Sequence, residues 1–146
     1  MLDLHKVLTI GQNSMVSKVV QRSDTTAEYA SHLKDLLATP SCIHMAIEAS
    51  INTVDKFLPD DLVSVGTSIR FVHTAPTSLG MTVTVRTSIV AIEEHAIIMD
   101  IKAWDEQGDI GYGEHHRAIV AKETILKKAE ERTRFMSNQQ LPENLR

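Results

Sequence analysis

TPSCIHMAIEASINTVDKFLPDDLVSVGTSIRFVH, residues 39–73, changes its hydrophobic period halfway along, and that change decides the fold. From Thr39 onward Ile43, Ile47, Ile51, Val54 and Leu58 recur at three- and four-residue steps, the spacing of one apolar face of an α-helix. Thr39-Pro40 reads as its start. A threonine oxygen can cap the free N–H groups there, and proline fits the first helical position, where its missing donor costs nothing. Pro59-Asp60-Asp61 stops the helix. Beyond the stop, Val63, Val65, Thr67, Ile69, Phe71 and His73 share one face of a period-two pattern, with Ser64, Gly66, Ser68 and Arg70 on the other.

Working outward, Met15 to Val20 alternates as an opening strand, and residues 22–38 are polar and mixed, a turn followed by a loop or short helix. Thr74 to Gly80 turns the chain. Met81 to Ile92 is a second long strand with Val83, Val85, Ile89 and Ala91 on one face, and Glu93-Glu94-His95 is a hairpin into a third, Ala96 to Trp104. After a turn at 105–108, Asp109 to Lys122 is the last strand. Connections this short imply an antiparallel meander. From Glu123 a charged helix carries Ile125, Leu126, Ala129 and Met136 as a thin apolar side and fades into a polar end after Asn138. The sheet must cover one face, only one long apolar helix is available to cover it, and strand edges of this length are commonly buried by a second copy. The expected fold class is α+β, an antiparallel sheet wrapped around one long central helix. Its domain would occupy 1–125, followed by a C-terminal helix and polar tail over 126–146.

Composition narrows the function classes. A chain of 146 residues is one domain by length, and folding should remove roughly 68% of its unfolded surface, enough for a core. The single cysteine, Cys42, excludes an internal disulfide framework and implies a reducing compartment. It reads as core packing, although its place near the helix start could lower its pKa. A net charge of −4 offers no basic field for nucleic acid. Apolar runs are too short to span a membrane, and the N-terminus does not read as a signal peptide, so a cytoplasmic protein is expected.

Several motif templates fail. Gly111-Tyr112-Gly113-Glu114-His115-His116 begins like a dinucleotide fingerprint but ends in histidine and lies within a strand. Walker, G-x-S-x-G and HExxH patterns are missing from the sequence. His115 and His116 are adjacent in a strand, so they point to opposite faces and cannot share one metal. No metal or cofactor is called for.

The segments Leu37-Ala38-Thr39-Pro40, Val65-Gly66-Thr67, Phe71-Val72-His73-Thr74-Ala75-Pro76, Gly80-Met81-Thr82-Val83 and Ile110-Gly111-Tyr112-Gly113-Glu114-His115-His116-Arg117 together resemble the hot-dog fold thioesterases of the fluoroacetyl-CoA thioesterase type, over roughly residues 12–125. The resemblance implies a homodimer, possibly a tetramer. It further implies an acyl-CoA substrate held at the subunit interface and hydrolysis of the thioester by a threonine, a glutamate on the long helix and a histidine. By position the threonine is Thr39, the histidine His73, the glycine shaping the acyl pocket Gly66, and the arginine of the last strand Arg117. The carboxylate position falls on Ile47, with Glu48 the next residue. Leu33 stands about where that enzyme has an aromatic lid residue, so a short or medium acyl-CoA is the expected substrate.

Each of these residues has a plainer role beside the catalytic one. Thr39 is explained as a helix cap that could still face a ligand. Glu48 belongs to a polar stripe with His44, Asn52 and Asp55, which is either the wetted face of the helix or, with one extra residue in the first turn, rotated into the site. His73 ends a strand where it could reach a cleft or sit half buried. Arg117 could pair across strands with Asp100. Gly66 weakens its strand unless a ligand or backbone approaches closely. The competing functions are an acyl-CoA-binding protein without turnover and a hydratase, whose D-x-N-P-x-H-like segment is missing here.

Overall fold

The helix α1, Thr39–Val54, lies against the sheet on its small side chains rather than on its isoleucines. Cys42, Met45, Ala46, Ala49, Ser50, Thr53 and Val54 are buried, whereas Ile43 and Ile47 are half-buried and Ile51 is 39% exposed. The expected isoleucine stripe is thus turned partly away from the core. A helix seated in the hollow of a curled sheet comes too close for branched side chains at the contact line, so alanine and serine occupy it. The computed structural model describes residues 2–33, 35–136 and 142–145.

The sheet has five strands in the order β1-β3-β4-β5-β2, antiparallel throughout. They are β1 (Asn13–Val19), β2 (Leu62–His73), β3 (Thr82–Ile92), β4 (Ala96–Asp105) and β5 (Gly108–Ala121). The last four agree with the expected strands to within about two residues, the usual uncertainty of element ends. The segment between β1 and α1 forms three single turns of 3-10 helix, Arg22–Asp24, Thr26–Glu28 and Ser31–Leu33. The core divides into one cluster around Met45, Val85 and Ile101 and another around Leu8, Val54 and Met99.

Two local expectations change. Thr39 does not cap α1: Ala38 is the cap residue, no side chain bonds to the first turn, and Thr39 and Pro40 begin the helix. Asp24 does the anchoring instead, its carbonyl accepting from Ala38 N at 2.9 Å and from Ser41 Oγ at 2.9 Å. The alternation of β2 also breaks, because a bulge between Gly66 and Ser68 leaves Thr67 unpaired. Ile69 stands opposite His115, Gly66 opposite Arg117 and Ser64 opposite Ile119. Partners across a ladder share a face, so Ser64 and Gly66 join Ile69, Phe71 and His73 on the inner face, and Val63 and Val65 turn outward. Helix α2, Lys122–Arg132, follows β5 directly, spans the expected boundary at 125/126 and has no buried residue. The polar end expected after Asn138 falls partly outside the described residues.

Ala49, fully buried on the contact line, has no room for extension. Replacing it by leucine is expected to cost about 1–3 kcal/mol, read as a lower urea midpoint, and an unchanged midpoint would show that α1 does not press on the sheet there.

Candidate active site

The first turn of α1 and the last residue of β2 meet at the mouth of a cleft. Because Thr39 is released from capping, its hydroxyl reaches His73, with Oγ1 and Nδ1 2.9 Å apart. His73 is there because β2 runs inward-facing to its end, and the chain then turns away through Thr74–Pro76. Leu37, Thr39, His73, Ala75 and Pro76 are among the residues lining a cavity of about 350 Å³. Burial holds the imidazole below its ordinary pKa and thus neutral near pH 7. Its Nε2 is buried without a hydrogen-bond partner. Thr87 Oγ1 on β3 is unpaired in the same way; buried polar atoms without a partner are uncommon in native structures.

Glu48 is not part of this cleft. It lies nine residues after Thr39, and at about 100° per residue that places it half a turn round the helix. It is exposed beside His44 and lines a separate cleft of about 370 Å³ with Lys18, Asp24 and Ser41. No extra residue rotates it, since α1 is unbroken α-helix from Thr39 to Val54. Of that stripe His44, Glu48 and Asn52 are exposed, whereas Asp55 is half-buried and accepts a hydrogen bond from Ser64. Ile47, half-buried, occupies the position at which the resemblance had placed a carboxylate. Cys42 is fully buried and its thiol is pushed up to about 11 by burial, which makes it packing rather than a nucleophile.

Gly66 and Arg117 lie far from Thr39 and His73 within one protomer. Gly66 and His73 are seven positions apart along β2, about 20 Å. Arg117 does not pair with Asp100. It is 3% exposed, and it donates from Nε to Ser64 Oγ at 2.8 Å and from Nη2 to Ser64 O at 2.7 Å. Ser64 Oγ in turn donates to the Asp55 carboxylate, just past the end of α1. Sequence reasoning missed this chain and its neighbour, the fully buried pair Ser50 and His115. Ser50 Oγ donates to Ala46 O at 2.8 Å and lies 3.0 Å from His115 Nδ1. Burial, reinforced by the nearby Arg117 and His116, pushes His115 down to about 4. The available signal was His115 standing two residues from Arg117 on one strand face.

Residues 20–123 match a family described as fluoroacetyl-CoA-specific thioesterase. The fluoroacetyl-CoA thioesterase of Streptantibioticus cattleyicolor is 29% identical over 99 residues, 68% of this chain and 71% of its own. Among solved structures, a hot-dog-like protein from Thermanaerovibrio acidaminovorans superposes with a TM-score of 0.86 at 25% identity, covering 90% of this chain and 97% of its own. A mutant of the fluoroacetyl-CoA thioesterase in complex with acetyl-CoA gives 0.79 at 25% identity, covering 86% and 99%. The five-stranded sheet wrapped on α1 is therefore the hot-dog fold. No helix among the described residues is long and apolar enough to cross a membrane.

The buried histidine makes a pH prediction. Unfolded, His115 takes a proton near 6.5; folded, only near 4. Between those values the unfolded chain binds more protons, so stability falls as pH is lowered through the window, by about 3 kcal/mol at its foot. Urea unfolding at pH 7, 5 and 4 should show this slope reduced in His115→Asn. Parallel slopes in the two proteins would contradict the assignment.

Proposed function

Since the chain belongs to the fluoroacetyl-CoA-specific thioesterase family, whose members hydrolyse thioesters, we propose that it cleaves a short or medium acyl-CoA to free acid and CoA through a Thr39–His73 pair, in a site completed by a second copy. The observation that carries this reading is the 2.9 Å contact between Thr39 Oγ1 and His73 Nδ1, a nucleophile within reach of a neutral base.

In this mechanism Thr39 Oγ1 attacks the thioester carbonyl while His73 Nδ1 takes its proton. The Thr39 backbone N–H, at the first helical position and thus without an intrahelical partner, faces the developing oxyanion at the positive end of the α1 dipole. Collapse of the tetrahedral intermediate breaks the C–S bond, and the imidazolium returns the proton to the departing sulfur. Water, activated by the same imidazole, then releases the acid from the acyl-threonine. A helix carboxylate takes no part in this mechanism, consistent with Glu48 lining a separate cleft.

The second copy follows from edge and distance. β2 is a sheet edge of 12 residues whose only charged side chain before its terminal His73 is Arg70, and Gly66, Thr67 and Ser68 are exposed on it. An edge this long and this weakly charged favours pairing with another strand. A twofold axis near Ile69 and Arg70, midway between Gly66 and His73 on β2, would bring Gly66 and Arg117 of one protomer beside Thr39 and His73 of its partner. That joins two groups about 20 Å apart in the single chain. Leu33, exposed at 44%, would leave the cleft without an aromatic cover, which supports an acyl group other than fluoroacetyl.

The test is thiol release over acetyl- to decanoyl-CoA and phenylacetyl-CoA, together with a sedimentation measurement of the dimer. His73→Ala and Thr39→Ala are each expected to lower kcat/KM by about 10²–10⁴, and Glu48→Gln to leave it unchanged. Turnover surviving Thr39→Ala would move the attack to water. CoA affinity without release from any substrate would make the protein an acyl-CoA binder.

A further inference from the structure

The segment that leads into α1 is gripped on both flanks just before Thr39. On one flank Asp24 O accepts from Ala38 N at 2.9 Å and Leu36 O from Thr26 N at 3.0 Å. On the other, Thr77 O accepts from Leu37 N at 2.8 Å, and Leu36 is bridged to Ser78. Thr77 stands four residues after His73, and its carbonyl holds the residue two before Thr39, so it joins the two sides of the Thr39–His73 pair. Its side chain is fully buried, and Oγ1 donates to Asp105 Oδ2 at 2.7 Å. Asp105, buried at the end of β4, accepts on its other oxygen from Gln107 N at 2.8 Å, which fixes the carboxylate to the β4–β5 turn. Just beyond that turn Ile110 O accepts from Thr74 N at 2.7 Å, next to His73. Hydrogen bonds and short chain segments thus close a ring, from His73 through Ile110, Asp105, Thr77 and Leu37 to Thr39 and back across the 2.9 Å contact.

Burying a hydroxyl and a carboxylate is costly in a way that an aliphatic pair of similar size is not. What the polar pair supplies is a fixed length and angle, since a hydrogen bond to a carboxylate is about twice as strong as a neutral one. Neither side chain lines the cleft of Thr39 and His73, so neither is placed to touch a substrate. We infer that Thr77 and Asp105 are positioning residues, a buried clamp that holds the entry of α1 against the turn after β2 and so sets the contact between Thr39 and His73. This rests on the thioesterase reading above, in which those two residues react as a pair. Reacting groups need placement within about 0.5 Å, and a misplacement of about 1 Å can lower a rate about 10²-fold.

The test is thiol release from the fastest substrate of the acetyl- to decanoyl-CoA series, at a temperature where melting curves show each variant folded. Thr77→Val, which keeps the volume and removes the hydroxyl, should lower kcat about 10- to 10²-fold with KM little changed. Thr77→Ser, which keeps the hydroxyl, should recover most of that loss. Asp105→Asn, which withdraws one of the two acceptor oxygens, should lower kcat in the same direction, and it decides alone if Thr77→Val does not fold. In a Thr39→Ala background Thr77→Val should add no further loss, because the contact it aligns is already gone. A full additional loss in that background, or a folded Thr77→Val or Asp105→Asn with unmodified kcat, overturns the clamp and leaves the thioesterase reading standing. Turnover untouched by Thr39→Ala, or no release from any substrate, overturns the Thr39–His73 reading and the clamp with it.

Discussion

The seating of α1 in the hollow of the sheet is the constraint on which the remaining structure depends. Ala46, Ala49 and Ser50 let the helix approach the strands closely, and close packing permits only one rotation of the helix about its axis. That rotation turns Thr39 toward β2 and His73, turns Glu48 out to solvent, and turns Ser50 down onto His115. One packing decision made on small side chains thus assigns a partner, or none, to each polar residue of the helix.

The same arrangement buries polar groups as well as apolar ones. A protein of this size could have closed the same space with aliphatic side chains. Instead Ser50, His115, Arg117 and Ser64 are buried together and hydrogen-bonded, while His73 keeps one nitrogen buried and unpartnered. Satisfied polar groups in a low-dielectric interior hold fixed orientations, and an unsatisfied one is costly until something binds it. The bulge at Thr67 belongs to the same design, since by shifting the alternation it places Ser64 and Gly66 on the inner face, where Arg117 and His115 lie. Bulges recur where a strand must re-aim its side chains at a site.

The elements themselves were legible, because period and punctuation are local. The steps of three and four after Thr39, the stop at Pro59-Asp60-Asp61 and the alternation from Leu62 onward each report a backbone preference that neighbouring residues settle among themselves. Hence one long helix, long antiparallel strands and a charged final helix could be read from the chain, as could the resemblance carried by segments such as Phe71–Pro76. His73, as the last residue of an inward-facing run, was visible in the same way.

What the sequence alone could not settle was which side of each element meets what. Isoleucine is more hydrophobic than alanine, so periodicity assigned the core to Ile43, Ile47 and Ile51; the distance between helix and sheet, a property of the assembled fold, assigned it to the alanines. Thr39 had every local reason to cap, and only the approach of Asp24 and His73, 15 and 34 positions away, gave its surroundings a different use for it. One unpaired residue in β2 reversed the faces of all that preceded it, and no composition signals a bulge of that kind. Local sequence therefore determined the elements and their order, through backbone preferences that act over a few residues. Tertiary structure decided rotation, register and partnership, because those depend on contacts between residues far apart in the chain.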